Sequence, residues 1–194
     1  MSARFIVIEG PDGSGSSLHA RLLSERLQEE GIAVLQTAEP TDGSIGRYIR
    51  EQLNAKELPP ADALQLLFCA DRAEHCQTVI LPALEAGKTV VSDRYSISTI
   101  VYGAALGLDA DWLTEINQKF MQPDLTIITL PPFDVCQERL GRRDEADQLE
   151  GASLQERVYA GYQAVEQANT IVVDTSQSKE DSATEIWQYA APLF

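Results

Sequence analysis

Gly10-Pro11-Asp12-Gly13-Ser14-Gly15-Ser16-Ser17 is the stretch of this chain best suited to chemistry. Gly10, Gly13 and Gly15 would let backbone N–H groups close around phosphate oxygens. A helix opening at Ser17 would add partial positive charge, and the Ser17 hydroxyl could reach Mg²⁺. The spacing fits G-x-x-x-x-G-K-[ST] at every fixed position except the lysine, which is Ser16 here. A glycine-rich turn that is capped by Ser17 and only joins a strand to a helix accounts for the same residues. Other segments have to decide.

Several do carry suitable groups. Asp93-Arg94-Tyr95 follows the β-branched run Thr89–Ser92, so Asp93 should emerge at a strand's carboxyl edge, where it can order Mg²⁺ through water. Arg94 can fork onto a phosphate. Phe68 and Arg72 are four residues apart and share a helical face, one able to stack on a pyrimidine and the other to donate to its carbonyl. A core phenylalanine and a solvated arginine are the plain alternative. Asp12 beside phosphates is costly unless a cation, water or sugar hydroxyl intervenes; otherwise it is a turn aspartate. Arg139, Arg142 and Arg143 flank a charged stretch without apolar period, Arg142 to Gly151, which reads as a mobile loop. They suit either charge neutralisation by a closing loop or the negative end of a helix dipole. His19 and His75 lack the context of a general base and read as surface or helix histidines.

The elements that must position these groups alternate. Strands are expected at Phe5–Ile8, Ile32–Gln36, Thr89–Ser92, Leu125–Leu130 and Thr170–Val173, and helices at Ser17–Glu30, Ile45–Leu53, Ala61–Glu85 with a bend near Pro82, Ser98–Leu106, Ala110–Phe120, Val135–Arg143 and Ser153–Ala168. Ile186, Tyr189, Ala190 and Leu193 mark one face of a terminal helix. Strands separated by helices imply an α/β fold with a parallel sheet covered on both faces, and ligands beyond the strands' carboxyl ends, near Gly10, Asp93 and Asp174.

Composition narrows the partners. The 194 residues fit one domain, and the apolar content of 44% excludes a largely disordered chain. A formal charge of −15 argues against nucleic acid, which is bound by clustered Lys and Arg. A solvated acidic surface and adaptation to a salty cytoplasm both fit that charge. Cys69, Cys76 and Cys136 form no C-x-x-C pair and read as reduced core residues. With no signal-peptide core and no apolar run of about 18 residues, a cytoplasmic protein away from membranes is expected.

Taken together, Phe5-Ile-Val-Ile-Glu-Gly-Pro-Asp-Gly-Ser-Gly, Glu39-Pro40, Leu67-Phe-Cys-Ala-Asp-Arg72, Asp93-Arg-Tyr95, Pro123-Asp-Leu-Thr126, the Arg139–Glu150 region and Val173-Asp-Thr-Ser-Gln177 resemble the thymidylate kinase family in order and spacing. The resemblance covers nearly the whole chain. It implies a P-loop nucleoside-monophosphate-kinase-like domain over residues 1–194, with a central five-stranded parallel sheet flanked by helices and a lid loop at about 140–152. The implied activity is phosphoryl transfer from ATP, with Mg²⁺, to dTMP for dTTP synthesis. A homodimer is implied as well.

Residue by residue, the resemblance places ATP at Gly10, Gly13, Ser14, Gly15, Ser16, Ser17, Arg139 and Gln177, and metal at Ser17 and Asp93. It places dTMP at Asp12, Phe68, Arg72, Arg94, Ser98, Thr99 and Tyr102, and catalysis at Asp12, Arg94, Arg142 and Arg143. Thr99 serves equally as a capping or core hydroxyl. Three positions that are usually basic in the family are Ser16, Ala38 and Gln148 here, all expected near phosphates. Arg142 or Arg143 is expected to take over part of the missing lysine's role when the lid closes. A nucleotide-binding protein without catalysis and a kinase for another nucleotide or nucleoside are the competing expectations.

Overall fold

The five apolar runs assemble into one sheet in a computed structural model of the chain, which describes residues 3–142, 149 and 151–194. Its strands are β1 (Phe5–Glu9), β2 (Val34–Ala38), β3 (Thr89–Asp93), β4 (Leu125–Thr129) and β5 (Thr170–Val173). They lie in the order β2-β3-β1-β4-β5, and every pairing is parallel. β1 and β4 are buried along their whole length, which is why neither shows polar alternation.

The helices are α1 (Ser16–Glu29), α2 (Ser44–Leu53), α3 (Ala61–His75), α4 (Leu81–Glu85), α5 (Ser96–Ala105), α6 (Ala110–Asn117), α7 (Phe133–Leu140), α8 (Ala152–Gln163) and α9 (Lys179–Ala190). Successive β1 side chains point to opposite faces. Ile6 and Ile8 share a core with Leu23 and Leu27 of α1 and Ile186 of α9. Phe5 and Val7 meet Cys76, Ile80 and Tyr95 on the other side. A third cluster joins α2, α3, α5 and α8 through Ile49, Leu64, Ile97, Val101, Val158 and Tyr162. All three cysteines are free and buried, as expected of core residues.

Some boundaries differ from the sequence expectation for local physical reasons. The long helix after Pro60 is interrupted by a π-helical segment, Cys76–Ile80, directly before Pro82. Pro82 has no N–H to donate and crowds the preceding turn, so the helix widens there. α5 starts at Ser96 rather than Ser98, because Glu9 of β1 caps it from a distance: its Oε1 accepts from the backbone N–H groups of Tyr95 and Ser98. α8 stops at Gln163 rather than Ala168, since the chain must turn to enter β5, with Asn169 left-handed at φ 59° and its carbonyl accepting from Thr126.

The order of strands reverses at β1, which has β3 on one side and β4 on the other. The crevice beyond the carboxyl ends of β1 and β3 therefore receives the Gly10 loop and Asp93-Arg94 together. No helix among the described residues is long and apolar enough to cross a membrane.

Candidate active site

The loop after β1 is shaped by its glycines. Gly13 has φ 80° and Gly15 φ 92°, left-handed values that L side chains rarely adopt. A Cβ on Gly13 would sit 2.4 Å from the carbonyl oxygen of Cys136, so α7 closes on the loop only because that carbon is absent. Hydroxyls hold the rest of the loop. The Ser14 and Thr129 hydroxyls are 2.8 Å apart, Thr129 Oγ1 donates to Glu9 O, and Thr175 Oγ1 donates to Ser14 O at 2.7 Å. Arg139 reaches in from α7 and donates to the carbonyls of Gly13, Ser14 and Thr175. Ser16 is buried, whereas Ser17 is exposed and donates to Asp93 Oδ2 at 2.5 Å.

That pair is where a cation would fit. Asp93 Oδ1 is buried without a hydrogen-bond partner, so a hard oxygen donor stands beside the Ser17 hydroxyl at the mouth of the loop. No cluster of three or more His, Cys, Asp or Glu side chains suited to metal occurs among the described residues. Two protein oxygens with a substrate's phosphates and water suit Mg²⁺, which keeps most of its water, better than a cage of protein ligands would.

Facing the loop is a cleft of about 160 Å³ between α3, α5 and the end of β3. Phe68 lies half-buried on its wall. Arg72 is 1% exposed, forms an ion pair with Glu39 at 2.7 Å, and donates to Asn117, Thr99 and the Tyr95 carbonyl. Only its Nε lacks a partner. Glu39 also accepts from His75 at 2.9 Å, and the other ring nitrogen of His75 meets the Thr37 hydroxyl. The guanidinium is therefore clamped in one orientation. Burial disfavours its charge, but the Glu39 carboxylate, together with Cys69 and Tyr95, more than offsets that and holds its pKa above the usual arginine value.

Between loop and cleft sits Arg94, left-handed at φ 70°. Such a backbone costs about 1–3 kcal/mol in a non-glycine residue and persists only where its surroundings impose it. Here Arg94 N–H bonds to Ile8 O at 2.8 Å and the Ser92 hydroxyl donates to Arg94 O at 2.9 Å. The result aims the guanidinium at Asp12, with which it pairs, at the Gly10 carbonyl and at Ser98. Asp12 also accepts from Tyr102 at 2.6 Å and from Gln155 of α8 at 2.9 Å. Burial works against the Arg94 charge, yet Tyr102, Asp12 and Tyr162 keep its pKa well above the ordinary value. Burial also raises the Glu9 carboxyl, which accepts from the Ser98 and Tyr162 hydroxyls.

A family model described as thymidylate kinase matches residues 8–186. The chain belongs to the thymidylate kinase family. It is 43% identical to a probable thymidylate kinase of Pyrococcus abyssi, over 84% of this chain and 82% of the relative. It is 40% identical to the thymidylate kinase of Synechococcus sp. (strain CC9605), over 92% of each. Against that of Synechococcus sp. (strain JA-3-3Ab) it is 37% identical, over 97% of this chain and 95% of the relative. The five-stranded parallel sheet flanked by helices agrees with the fold that the resemblance implied.

Set against the family expectation, the structure brings Gly10, Asp12, Gly13, Ser14, Gly15, Ser17, Asp93 and Arg94 to one crevice and lines the adjoining cleft with Phe68, Arg72, Ser98, Thr99 and Tyr102. It distributes the arginines differently. Arg142 pairs with Glu138 one turn back at the exposed end of α7, while Arg139 contacts the loop. Arg143 and Gln148 lie outside the described residues, as does most of the lid. Gln177 is exposed in the turn two residues beyond Thr175, whose carbonyl holds Arg139. Neither histidine is on the surface: His75 bridges Glu39 and Thr37, and His19 lies buried against Gly15. Burial and the nearby Arg139 push the His19 pKa down.

Sequence reasoning missed Glu9, Gln155, Tyr162 and Asn117. Gln155, Tyr162 and Asn117 have no local signal, because each acts on a residue far away in the chain; Gln155 and Asp12 are 143 positions apart. Glu9 alone had a hint, as a carboxylate ending an otherwise apolar strand.

Proposed function

We propose that the chain transfers a phosphoryl group from ATP to dTMP, giving dTDP and ADP. The observation that carries this reading is Arg94, which touches both halves of the site, the phosphate loop at Gly10 and Asp12 and the cleft at Ser98. An acceptor phosphate that displaces part of the Arg94–Asp12 pairing would lie in line with a donor phosphate cradled by loop N–H groups. Positioning and charge neutralisation supply most of the rate in such a transfer, and no covalent intermediate is needed.

In this mechanism Phe68 stacks on the base, and Arg72, clamped by Glu39, turns its free Nε toward a base carbonyl. Tyr102 and Gln155 hold Asp12 near the sugar. Arg139, which donates to the carbonyls of Gly13, Ser14 and Thr175, would supply positive charge beside the donor phosphates. Ser17 and Asp93 would hold Mg²⁺, which when bound neutralises charge on the phosphates. We place the lysine's electrostatic role with Arg139 and the backbone amides rather than with Arg142.

A cytoplasmic homodimer is the setting we propose. Buried free thiols suit a reducing compartment. Tyr48 of α2 and Leu66 of α3, both exposed on helices that pack together, suit a covered face.

ADP release measured with ATP and Mg²⁺ should depend on dTMP. Calorimetric binding of both nucleotides without turnover would sink the kinase reading in favour of a non-catalytic nucleotide-binding protein. Faster release with dUMP or thymidine would reassign the acceptor.

A further inference from the structure

Gln65 is 1% exposed, lines the cleft, and has no hydrogen-bond partner for either Oε1 or Nε2. An amide buried in that condition is costly, on the order of 1–3 kcal/mol for each unmet group, unless something else satisfies it. Its stem is not loosely placed. A Cβ on Gly103 of α5 would lie 3.1 Å from Gln65 Cγ, so the two helices approach closely there because Gly103 has no side chain.

The position relative to other cleft residues matters. Gln65, Phe68 and Arg72 are three and four residues apart on α3 and so share one face, with about 10 Å along the axis between first and last. A ring stacked on Phe68 would lie between the Gln65 amide and the Arg72 guanidinium. The polar atoms of these two side chains that remain free are a donor, Arg72 Nε, and then an acceptor and a donor, Gln65 Oε1 and Nε2. Nearby, Asn117 Oδ1, Tyr95 O and Thr99 Oγ1 accept from Arg72 and Glu39 Oε2 is ion-paired with it, while Asp93 Oδ1, also without a hydrogen-bond partner, stands beside Ser17.

The edge of a thymine or uracil ring presents the complement: acceptor O4, donor N3–H, acceptor O2. We propose that Gln65 is a specificity-determining residue for the acceptor nucleotide, its Oε1 accepting from N3–H and its Nε2 donating to O2 of a pyrimidine-2,4-dione. This rests on the reading of the cleft as the acceptor site. Satisfaction of the amide by the base converts a cost in the free protein into discrimination in the complex. A base lacking N3–H leaves Oε1 buried and unmet.

The test uses Gln65→Met, which keeps the stem length and removes both polar atoms, with Gln65→Leu as a second variant should the first fold poorly. Binding of dTMP is measured by calorimetry, turnover by ADP release, and stability by thermal melting. The proposal expects a melting temperature equal to or above that of the wild type, together with dTMP affinity lowered on the order of 10- to 100-fold. The loss should fall on KM more than kcat. N3-methyl-dTMP, which has no N3–H, should be rejected by the wild type, and the variant should discriminate less between it and dTMP. Unchanged dTMP affinity overturns the assignment, and so does a large fall in melting temperature with affinity retained, which marks a structural role. Wild-type protein that binds no pyrimidine nucleotide overturns the acceptor reading itself; wild-type turnover of dTMP with an indifferent Gln65 variant overturns only Gln65.

Discussion

The two halves of the crevice are built from different materials. The donor half is mainly backbone, shaped by left-handed glycines and fixed by hydroxyls and one arginine that bind carbonyl oxygens. The acceptor half is a network of side-chain charges: the buried Glu39 with Arg72 and His75, the half-buried Asp12 with Arg94, and the buried Glu9. Backbone N–H groups survive any substitution that leaves the loop's conformation intact. A buried charge survives only with its partner. This contrast explains how the chain can lack a lysine at position 16 while retaining Arg72, Arg94 and Glu39 together.

The contrast can be broken first at Glu39. Glu39→Ala leaves Arg72 buried and unpaired, and is expected to cost about 3–5 kcal/mol of stability. Denaturant unfolding checks it; a loss below 1 kcal/mol would mean that the acceptor half tolerates change as the donor half does. Next is Arg94→Ala, expected to lower kcat by about 10²–10³ through loss of a preorganised charge donor. Steady-state ADP release measures it, and a comparable loss from Arg142→Ala would return the exposed arginine to the mechanism.

The donor half should respond less. Arg139→Ala is expected to lower kcat by about 10- to 100-fold, and Ser16→Lys to restore part of that loss while changing the otherwise unaltered protein less than tenfold. A double-mutant cycle reads the coupling, and strict additivity would show that Arg139 does not stand in for the lysine.

The smallest effect is a pH dependence. Burial raises the Glu9 pKa, so the stability contributed by its protonated form is fully present below the unfolded carboxyl value and is lost as pH rises through the higher folded value. Glu9→Gln should remove that loss, and the stability difference between variant and wild type should grow in the variant's favour as pH rises through that window. Melting curves from pH 4 to pH 8 check the sign.

Much of this was legible in the sequence. The five strands and the glycine loop follow from short-range pattern: apolar runs, Gly10, Gly13 and Gly15 at fixed offsets, and Pro82 interrupting a helix. Phe68 and Arg72 share a face by helical period alone, and the family resemblance assigned both to the nucleotide. The arginines of the lid could not be ranked in this way. Which of Arg139 and Arg142 meets the loop depends on where α7 lies against Gly13 and Thr175 and on where it ends: Arg139 is in its last turn, whereas Arg142 follows its last residue, Leu140, and pairs back with Glu138.

What the sequence by itself determined, then, is the alternation of elements, the loop that can wrap phosphate, and the residue types available to a nucleotide. Only the tertiary structure decided that Glu9 caps α5 across 86 positions, that Gln155 and Tyr102 share Asp12, that Glu39 fixes Arg72, and that the buried Gln65 amide lines the cleft without a protein hydrogen-bond partner. The physical reason is range. Helical and strand periods act over a few residues and leave a trace in local composition, whereas buried polar partners are matched through space and leave none.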